Sequence, residues 1–189
     1  MPLSPVSTVP IFATRSWRRN NPCAQLKRFL QDHQDESGIV YCLSKRKTEE
    51  TAEWLRNLGY DALSYHSGME KSAREANQAR FHHDEAVIMV ATIAFGMGID
   101  KLDVRFVAHI DLLGSIEAYY QETGRAGRDG LPAEAMMLYG YDDIVLRSCF
   151  IEESDAPDQR KRMERQNSAQ FWVRRNRKLS QTDAVVLFR

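Results

Sequence analysis

Cysteine is scarce in this sequence and is not arranged for metal binding or cross-linking. The three cysteines, Cys23, Cys42 and Cys149, form no CxxC pair. We therefore expect neither a disulfide framework nor a zinc site, and their number fits a reducing compartment, for which the cytoplasm is the default. No metal ligands are predicted in this chain.

Net charge and long apolar runs are also missing. The 26 basic and 26 acidic residues cancel, so any role in binding nucleic acid must rest on local clusters of charge. No apolar run approaches the roughly 18 residues that cross a bilayer, and the proline-rich start does not match a signal peptide. We expect a soluble protein with no membrane contact.

The sequence does contain a regular alternation of β-rich runs and helical stretches between Gly38 and about Gly140. The predicted strands are 39–43, 62–65, 87–91, 104–108 and 135–139, and the predicted helices are 45–58, 70–82 and 116–121. The near-continuous apolarity of the strands suits a sheet covered on both faces, and the alternation indicates parallel strands joined by crossover helices. We predict one doubly wound α/β domain with a mainly parallel sheet.

Both ends of the chain lack this pattern. Residues 1–19 and 167–189 show no period typical of a packed element, and we expect both to be non-native or disordered. Residues 20–145 form the predicted α/β lobe. The charged residues 146–166 are expected to be helical and to lead into a following region.

The most specific stretch is Q-E-T-G-R-A-G-R-D-G, residues 121–130. Arg125 and Arg128 are three residues apart and each follows a glycine, so the spacing predicts two guanidinium groups on nearly one face of a turn. Such groups suit phosphate oxygens and can stabilise phosphoryl transfer. A bare GRxGR would more often be a glycine-rich loop with solvated arginines, but the flanking segments favour the phosphate role.

Further polar segments follow the predicted strands. Residues 91–100, A-T-I-A-F-G-M-G-I-D, follow a predicted strand at the carboxyl edge, where open α/β sheets bind ligands. The Thr92 hydroxyl could contact a phosphate there, and Asp100 could accept from a ribose hydroxyl. Ser44 and His66 follow two other strands and are expected at the same edge. For His66 alone, a structural histidine is favoured by about two to one over a ligand contact.

Five segments, taken in order along the chain, resemble the C-terminal helicase lobe of superfamily 2. They are G-I-V-Y-C, Y-H-S-G-M, A-T-I-A-F-G-M-G-I-D-K, V-R-F-V-A-H and Y-Y-Q-E-T-G-R-A-G-R-D-G-L-P-A. The residue sequences of these segments are similar to the RecQ family in particular, and the resemblance covers about residues 20–166. The resemblance implies a RecA-like three-layer fold and the second motor lobe of an ATP-dependent 3′-to-5′ DNA helicase. A lobe of a superfamily 2 RNA helicase is the nearest alternative.

The resemblance also implies roles for individual residues. Arg125 and Arg128 would be a catalytic pair of arginine fingers, with Arg128 the better candidate for the γ-phosphate. The residues bordering the nucleotide would be Gly98, Asp100 and Gln121. The residues touching the DNA backbone would be Ser44, His66, Gly68 and Thr92.

The chain has no G-x-x-x-x-G-K-[ST] phosphate loop and no D-E-x-H segment. Without them ATP and Mg²⁺ have no primary site here, so the resemblance assigns both mainly to an N-terminal RecA-like lobe, and zinc only to a downstream region. The expected partners are that lobe and single-stranded and duplex DNA, in the cytoplasm or, in a bacterium, at the nucleoid. A non-catalytic nucleic-acid-binding half-motor is the alternative from another class of function.

Residues 7–19 lie where RecQ proteins carry a segment like S-F-D-R-P-N-I-R-Y. Back-translated and read one base earlier, they permit F-D-R-P-N-I-R-Y-T-V-V-E-K, and residues 167–173 permit K-L-S-A-[IV]-L-G in the same shift. We hypothesise that both ends are out-of-frame translations flanking a genuine core. Lineage-specific linkers are the alternative, and the nucleotide sequence decides between them.

Overall fold

The computed structural model describes residues 12–96, 100–113, 116–140, 157–159 and 162. Within them the elements are β1 (Phe12–Arg18), α1 (Pro22–Gln31), β2 (Gly38–Tyr41), α2 (Lys45–Asn57), β3 (Asp61–Tyr65), α3 (Lys71–His83), β4 (Val87–Ala91), β5 (Phe106–His109), α4 (Ile116–Thr123) and β6 (Ala133–Tyr139). The predicted helical region 146–166 lies almost wholly outside the described residues, and the predicted disordered tail 167–189 lies entirely outside them.

The six strands form one sheet in the order β1-β6-β5-β2-β4-β3, and every pairing is parallel. Successive side chains of a strand point to opposite faces. In β2, Val40 packs in the core beneath α1 and α2, whereas Ile39 packs in the core beneath α3. Helices therefore cover both faces, and the predicted three-layer α/β fold is confirmed.

Helix α2 shows how the local sequence sets the elements. Ser44 caps its first turn, with the side-chain oxygen accepting from Lys47 N. Thr48, Ala52 and Leu55 recur at helical spacing and are buried. After the helix, Gly59 has a φ of +93°, the left-handed conformation that glycine adopts at the end of a helix.

Strand β1 departs from the prediction that residues 1–19 contain no packed element. It pairs with β6 over its full length, with Trp17 opposite Leu138. The Trp17 ring packs against the core and lies 6.4 Å from the Phe29 ring. The expectation of disorder is wrong for residues 12–18, because main-chain hydrogen bonds to an open sheet edge and one large side chain can hold a strand that has no hydrophobic period. The expectation that these residues are non-native stays a prediction.

Gly38 and Phe106 are opposite each other in the pairing of β2 with β5. A Cβ added at Gly38 would lie 2.2 Å from the Phe106 ring, so the ring occupies the space that the glycine leaves. The same ring contacts Phe29 and His33. This packing joins the central strands to the end of α1.

A charged cluster surrounds the buried His33. Its Nδ1 lies 2.7 Å from Glu36 Oε2 and its Nε2 lies 3.5 Å from Glu134 Oε2. Arg15 Nε lies 2.5 Å from Glu134 Oε1, which ties β1 to the cluster. Burial lowers the pKa of His33, but the nearby carboxylates of Glu134 and Glu36 raise it by more than burial lowers it. The net pKa is therefore above its usual 6.5.

The raised pKa of His33 predicts that the fold is less stable in alkaline solution. The stabilisation from protonated His33 is fully present below pH 6.5 and is lost as the pH rises through the higher pKa of the folded state. The free energy of unfolding, measured with urea from about pH 5.5 to about pH 8.5, should fall over the upper part of that range.

Two variants isolate this effect. His33→Phe keeps a ring in place but cannot titrate, so it should flatten the pH dependence. His83→Gln changes an exposed histidine and should preserve it. Equal slopes for the wild type and His33→Phe would contradict the assignment.

Candidate functional site

The loops that leave β2, β4 and β3 are joined at one edge of the sheet. Cys42 N donates to Ala91 O at 2.8 Å, and Thr92 N donates to Tyr65 O at 3.2 Å. Because these three strands are adjacent and parallel, the segments that follow them start side by side. The edge brings together the four residues predicted to touch DNA: Ser44, His66, Gly68 and Thr92.

Two hydroxyl groups of this edge help to shape their own loops. Ser44 Oγ accepts from Lys47 N at 3.3 Å, and Thr92 Oγ1 accepts from Ala94 N at 3.4 Å. Ser44 is exposed and Thr92 is half-buried. Each hydroxyl hydrogen can still donate to a further acceptor such as a phosphate oxygen.

His66 is 3% exposed and its ring is engaged on both sides. Nε2 lies 2.9 Å from Glu49 Oε1, and Nδ1 accepts from Gly68 N at 3.2 Å. The imidazole therefore shapes the turn from within, which favours the structural alternative, and its direct contact with DNA stays a prediction. Gly68 is exposed, and Lys45 Nζ would lie 3.3 Å from a Cβ added there. Lys45 is a cation of this edge that the sequence analysis did not select.

The G-R-A-G-R turn follows α4 and is anchored to the residues before β5. Gly127 N donates to Val104 O at 2.9 Å, and Gly127 has a φ of +67°, which glycine adopts without strain. Ala126 is buried in the core beside it. This anchoring fixes the direction in which the two neighbouring arginines leave the turn.

The side chains of Arg125 and Arg128 lie in different surroundings, although their spacing predicted that both guanidinium groups would lie on nearly one face of the turn. Arg125 is half-buried, with Nη2 3.0 Å from the position of a Cβ added at Gly96, and its buried Nε has no hydrogen-bond partner among the described residues. Arg128 Nη1 lies 3.4 Å from Asp100 Oδ1, and these side chains are 35% and 83% exposed. Arg125 is thus an internal cation, and Arg128 is a surface cation beside a carboxylate.

The three residues predicted to border the nucleotide have different outcomes. Asp100 lies beside Arg128, as described above. Gln121 is exposed on α4. Gly98 lies outside the described residues. Among the residues that the structure describes, no group of three or more His, Cys, Asp or Glu side chains is placed to hold a metal ion, and no helix there is long and apolar enough to cross a membrane.

Asp111 organises the start of α2, and the sequence analysis did not select it. Its carboxylate accepts from Leu43 N at 2.9 Å and from Lys47 Nζ at 2.5 Å, and Arg19 Nη1 lies 3.3 Å away. One carboxylate, 11% exposed, therefore holds a backbone group and two cations next to Ser44. A signal was available, because Asp111 follows a predicted strand as the selected residues do.

Replacing Asp111 should test whether this cluster braces the edge. Asp111→Asn removes the charge that neutralises two partly buried cations, so the free energy of unfolding should fall by roughly 2 kcal/mol in urea titration. Asp61→Asn is the matched control, because Asp61 pairs with Arg80 where both side chains are about half exposed, and its effect should stay within about 0.5 kcal/mol. Similar losses for both variants would show that Asp111 is no more than a surface ion pair.

Comparisons with known proteins show the family to which the chain belongs. Residues 21–130 match the family described as the helicase conserved C-terminal domain. The chain is 53% identical over 137 residues to the ATP-dependent DNA helicase RecQ of Haemophilus influenzae. This alignment covers 72% of this chain and 22% of that protein. It is 40% identical over 136 residues to the RecQ helicase of Bacillus subtilis, covering 72% of this chain and 23% of that protein. The chain thus spans about a fifth of the length of these relatives.

Solved structures share the fold. A DEAD box protein from Methanococcus jannaschii matches with a TM-score of 0.61 and 27% identity, over 76% of this chain and 39% of that chain. The Escherichia coli DEAD-box protein SrmB matches with a TM-score of 0.60 and 26% identity, over 78% of this chain and 88% of that chain. From the family match and the shared fold, the chain belongs to the helicase conserved C-terminal domain family, and over 137 residues it is similar to one part of a RecQ DNA helicase.

Proposed function

We propose that this chain is the second motor lobe of an ATP-dependent 3′-to-5′ DNA helicase. It closes on an N-terminal RecA-like lobe that holds most of the nucleotide, and it supplies arginines to the phosphates. The observation that carries this proposal is the exposed pair of Arg128 and Asp100 beside the half-buried Arg125. A surface arginine next to an internal one is suited to meeting a phosphate that arrives from a second lobe.

The residues present fit the phosphate and ribose ends of a nucleotide. The buried Arg125 Nε has a donor to spare among the described residues, and the exposed Asp100 carboxylate can accept from a ribose hydroxyl. ATP with Mg²⁺ supplies the phosphoryl group that is transferred to water when the other lobe binds it. Arg128 stabilises the negative charge on the γ-phosphate oxygens, and Arg125 supports the turn from within.

The edge formed by the ends of β2, β3 and β4 is proposed to grip single-stranded DNA. The hydroxyls of Ser44 and Thr92 and the Lys45 ammonium are donors for phosphate oxygens, and the exposed Gly68, whose N–H is held by His66, leaves room for a phosphate beside its backbone. Contacts to the phosphate backbone carry no base information, so this grip is independent of sequence, as a translocating motor requires.

The proposal predicts that ATP turnover needs a second lobe. The purified chain should show no DNA-stimulated hydrolysis, because it lacks a phosphate loop. Joined to the N-terminal lobe of a RecQ relative, it should approach the roughly 10 s⁻¹ of an ordinary enzyme when single-stranded DNA is added. The measurement is phosphate release with and without DNA.

Three other outcomes would count against the proposal. Turnover by the chain alone that survives repeated purification would show a nucleotide site that the sequence does not reveal. DNA binding with no turnover in the joined protein would favour the non-catalytic half-motor. Stimulation by RNA in place of DNA would favour an RNA helicase.

Arg128→Ala in the joined protein should lower kcat by about 10³-fold, because the guanidinium stabilises charge that develops mainly in the transition state. The Kd values for ATP and DNA should change much less. Arg128→Lys should restore little activity, since an ammonium does not reproduce the planar fork. Arg28→Ala, at an exposed arginine of α1, is the control and should leave kcat and both Kd values unchanged. Normal turnover with lost DNA affinity would instead make Arg128 a phosphate grip.

A further inference from the structure

Tyr41, the last residue of β2, is held in one orientation by its neighbours. Its ring stacks on that of His109 at the end of β5, with centroids 5.2 Å apart and 12° between the planes. His109 Nε2 lies 2.7 Å from Glu122 Oε2 on α4. All three side chains are buried, so the tyrosine ring has little freedom to turn.

The Tyr41 hydroxyl fixes the backbone that Arg125 lies against. It donates to Phe95 O at 3.0 Å, and this hydrogen bond is buried. The next residue is Gly96, and a Cβ added there would lie only 3.0 Å from Arg125 Nη2. The position of the Phe95 carbonyl therefore sets the surface available to the guanidinium.

The hydroxyl stays a neutral donor over the physiological range. Burial raises the pKa of Tyr41 well above its usual 10, while the charge of Arg125 acts in the opposite direction. The hydroxyl and the arginine are thus electrostatic neighbours as well as neighbours through the turn. Without the tyrosine oxygen, the Phe95 carbonyl would lose a buried donor.

We propose that Tyr41 is a positioning residue for the arginine turn: its hydroxyl holds the Phe95–Gly96 backbone against which Arg125 is placed. Arg128 leaves the same turn three residues after Arg125, so the proposal links Tyr41 to Arg128 through that turn. Tyr41 touches no reacting atom and acts only through these neighbours. The inference rests on the proposed function for its effect on ATP turnover, but the placement of Arg125 can be measured in the chain itself.

Tyr41→Phe removes only the hydroxyl and should leave the chain folded. In the ¹⁵N-labelled chain, the Nε–H signal of Arg125, assigned by its loss in Arg125→Lys, should be resolved and protected from exchange with water. In Tyr41→Phe it should move toward the signals of exposed arginines and exchange about tenfold faster. An unchanged Arg125 signal overturns the proposal.

Two further variants separate positioning from general loosening. Tyr65→Phe removes a hydroxyl from a ring that packs on the same Phe95, with centroids 4.7 Å apart, and it should leave the Arg125 signal unchanged. Gly96→Ala places a Cβ 3.0 Å from Arg125 Nη2 with Tyr41 intact, and it should shift the signal. The proposal is overturned if Tyr65→Phe has the effect expected of Tyr41→Phe.

The kinetic test uses the chain joined to an N-terminal lobe. Tyr41→Phe should lower kcat about tenfold, while KM for ATP and for DNA changes by less than about twofold, since a misplaced arginine weakens binding of the transition state more than binding of the substrate. An unchanged kcat, or a change in KM alone, overturns the proposal. If the wild-type joined protein has no DNA-stimulated turnover, the proposed function fails, and the Arg125 signal in the chain still decides the role of Tyr41.

Discussion

All six strands of the described sheet run in the same direction, and this fixes where the loops that leave them begin. Segments far apart in the sequence become neighbours because the backbone ladder aligns the strand ends. Ser44, Thr92 and His66 need no contacts with one another to meet at this edge. Asp111 follows β5 and reaches the segment after β2 in the same way. Parallel pairing thus assembles the edge, and local contacts then adjust it.

Apolar runs and helical spacing were sufficient to predict β2 to β6 and α2 to α4 to within a few residues, because burial on both faces leaves a clear signal in the sequence. Strand β1 gave no such signal. Its pairing with β6 uses backbone groups, which every residue carries. In the shifted reading of residues 7–19, positions 12–18 would be I-R-Y-T-V-V-E, which has more β-branched residues than F-A-T-R-S-W-R and suits the same strand. That hypothesis stays a prediction.

For the candidate site, residue type and position after a strand predicted where side chains gather but not how they are oriented. Arg125 and Arg128 have the same local sequence context, and the packing of Gly96 and Asp100 around them makes one internal and the other exposed. His66 has the residue type of a ligand, yet Glu49 engages its ring. Tyr41 sits inside a buried strand, where a tyrosine and a phenylalanine look alike in a hydrophobic pattern. Its role depends on a carbonyl more than fifty residues away in the sequence.

The fit between Gly38 and Phe106 limits the order in which these two positions can change during evolution. A side chain at position 38 would overlap the ring, so it becomes tolerable only after position 106 has become smaller. Shrinking Phe106 first leaves a void, which for a change to alanine costs roughly 3–5 kcal/mol. Enlarging position 38 first overpacks the core, and shrinking position 106 first leaves a cavity, so neither substitution alone is neutral. Gly38, at the start of β2, can therefore be retained during evolution because of its packing against Phe106 alone, without contacting nucleotide or DNA.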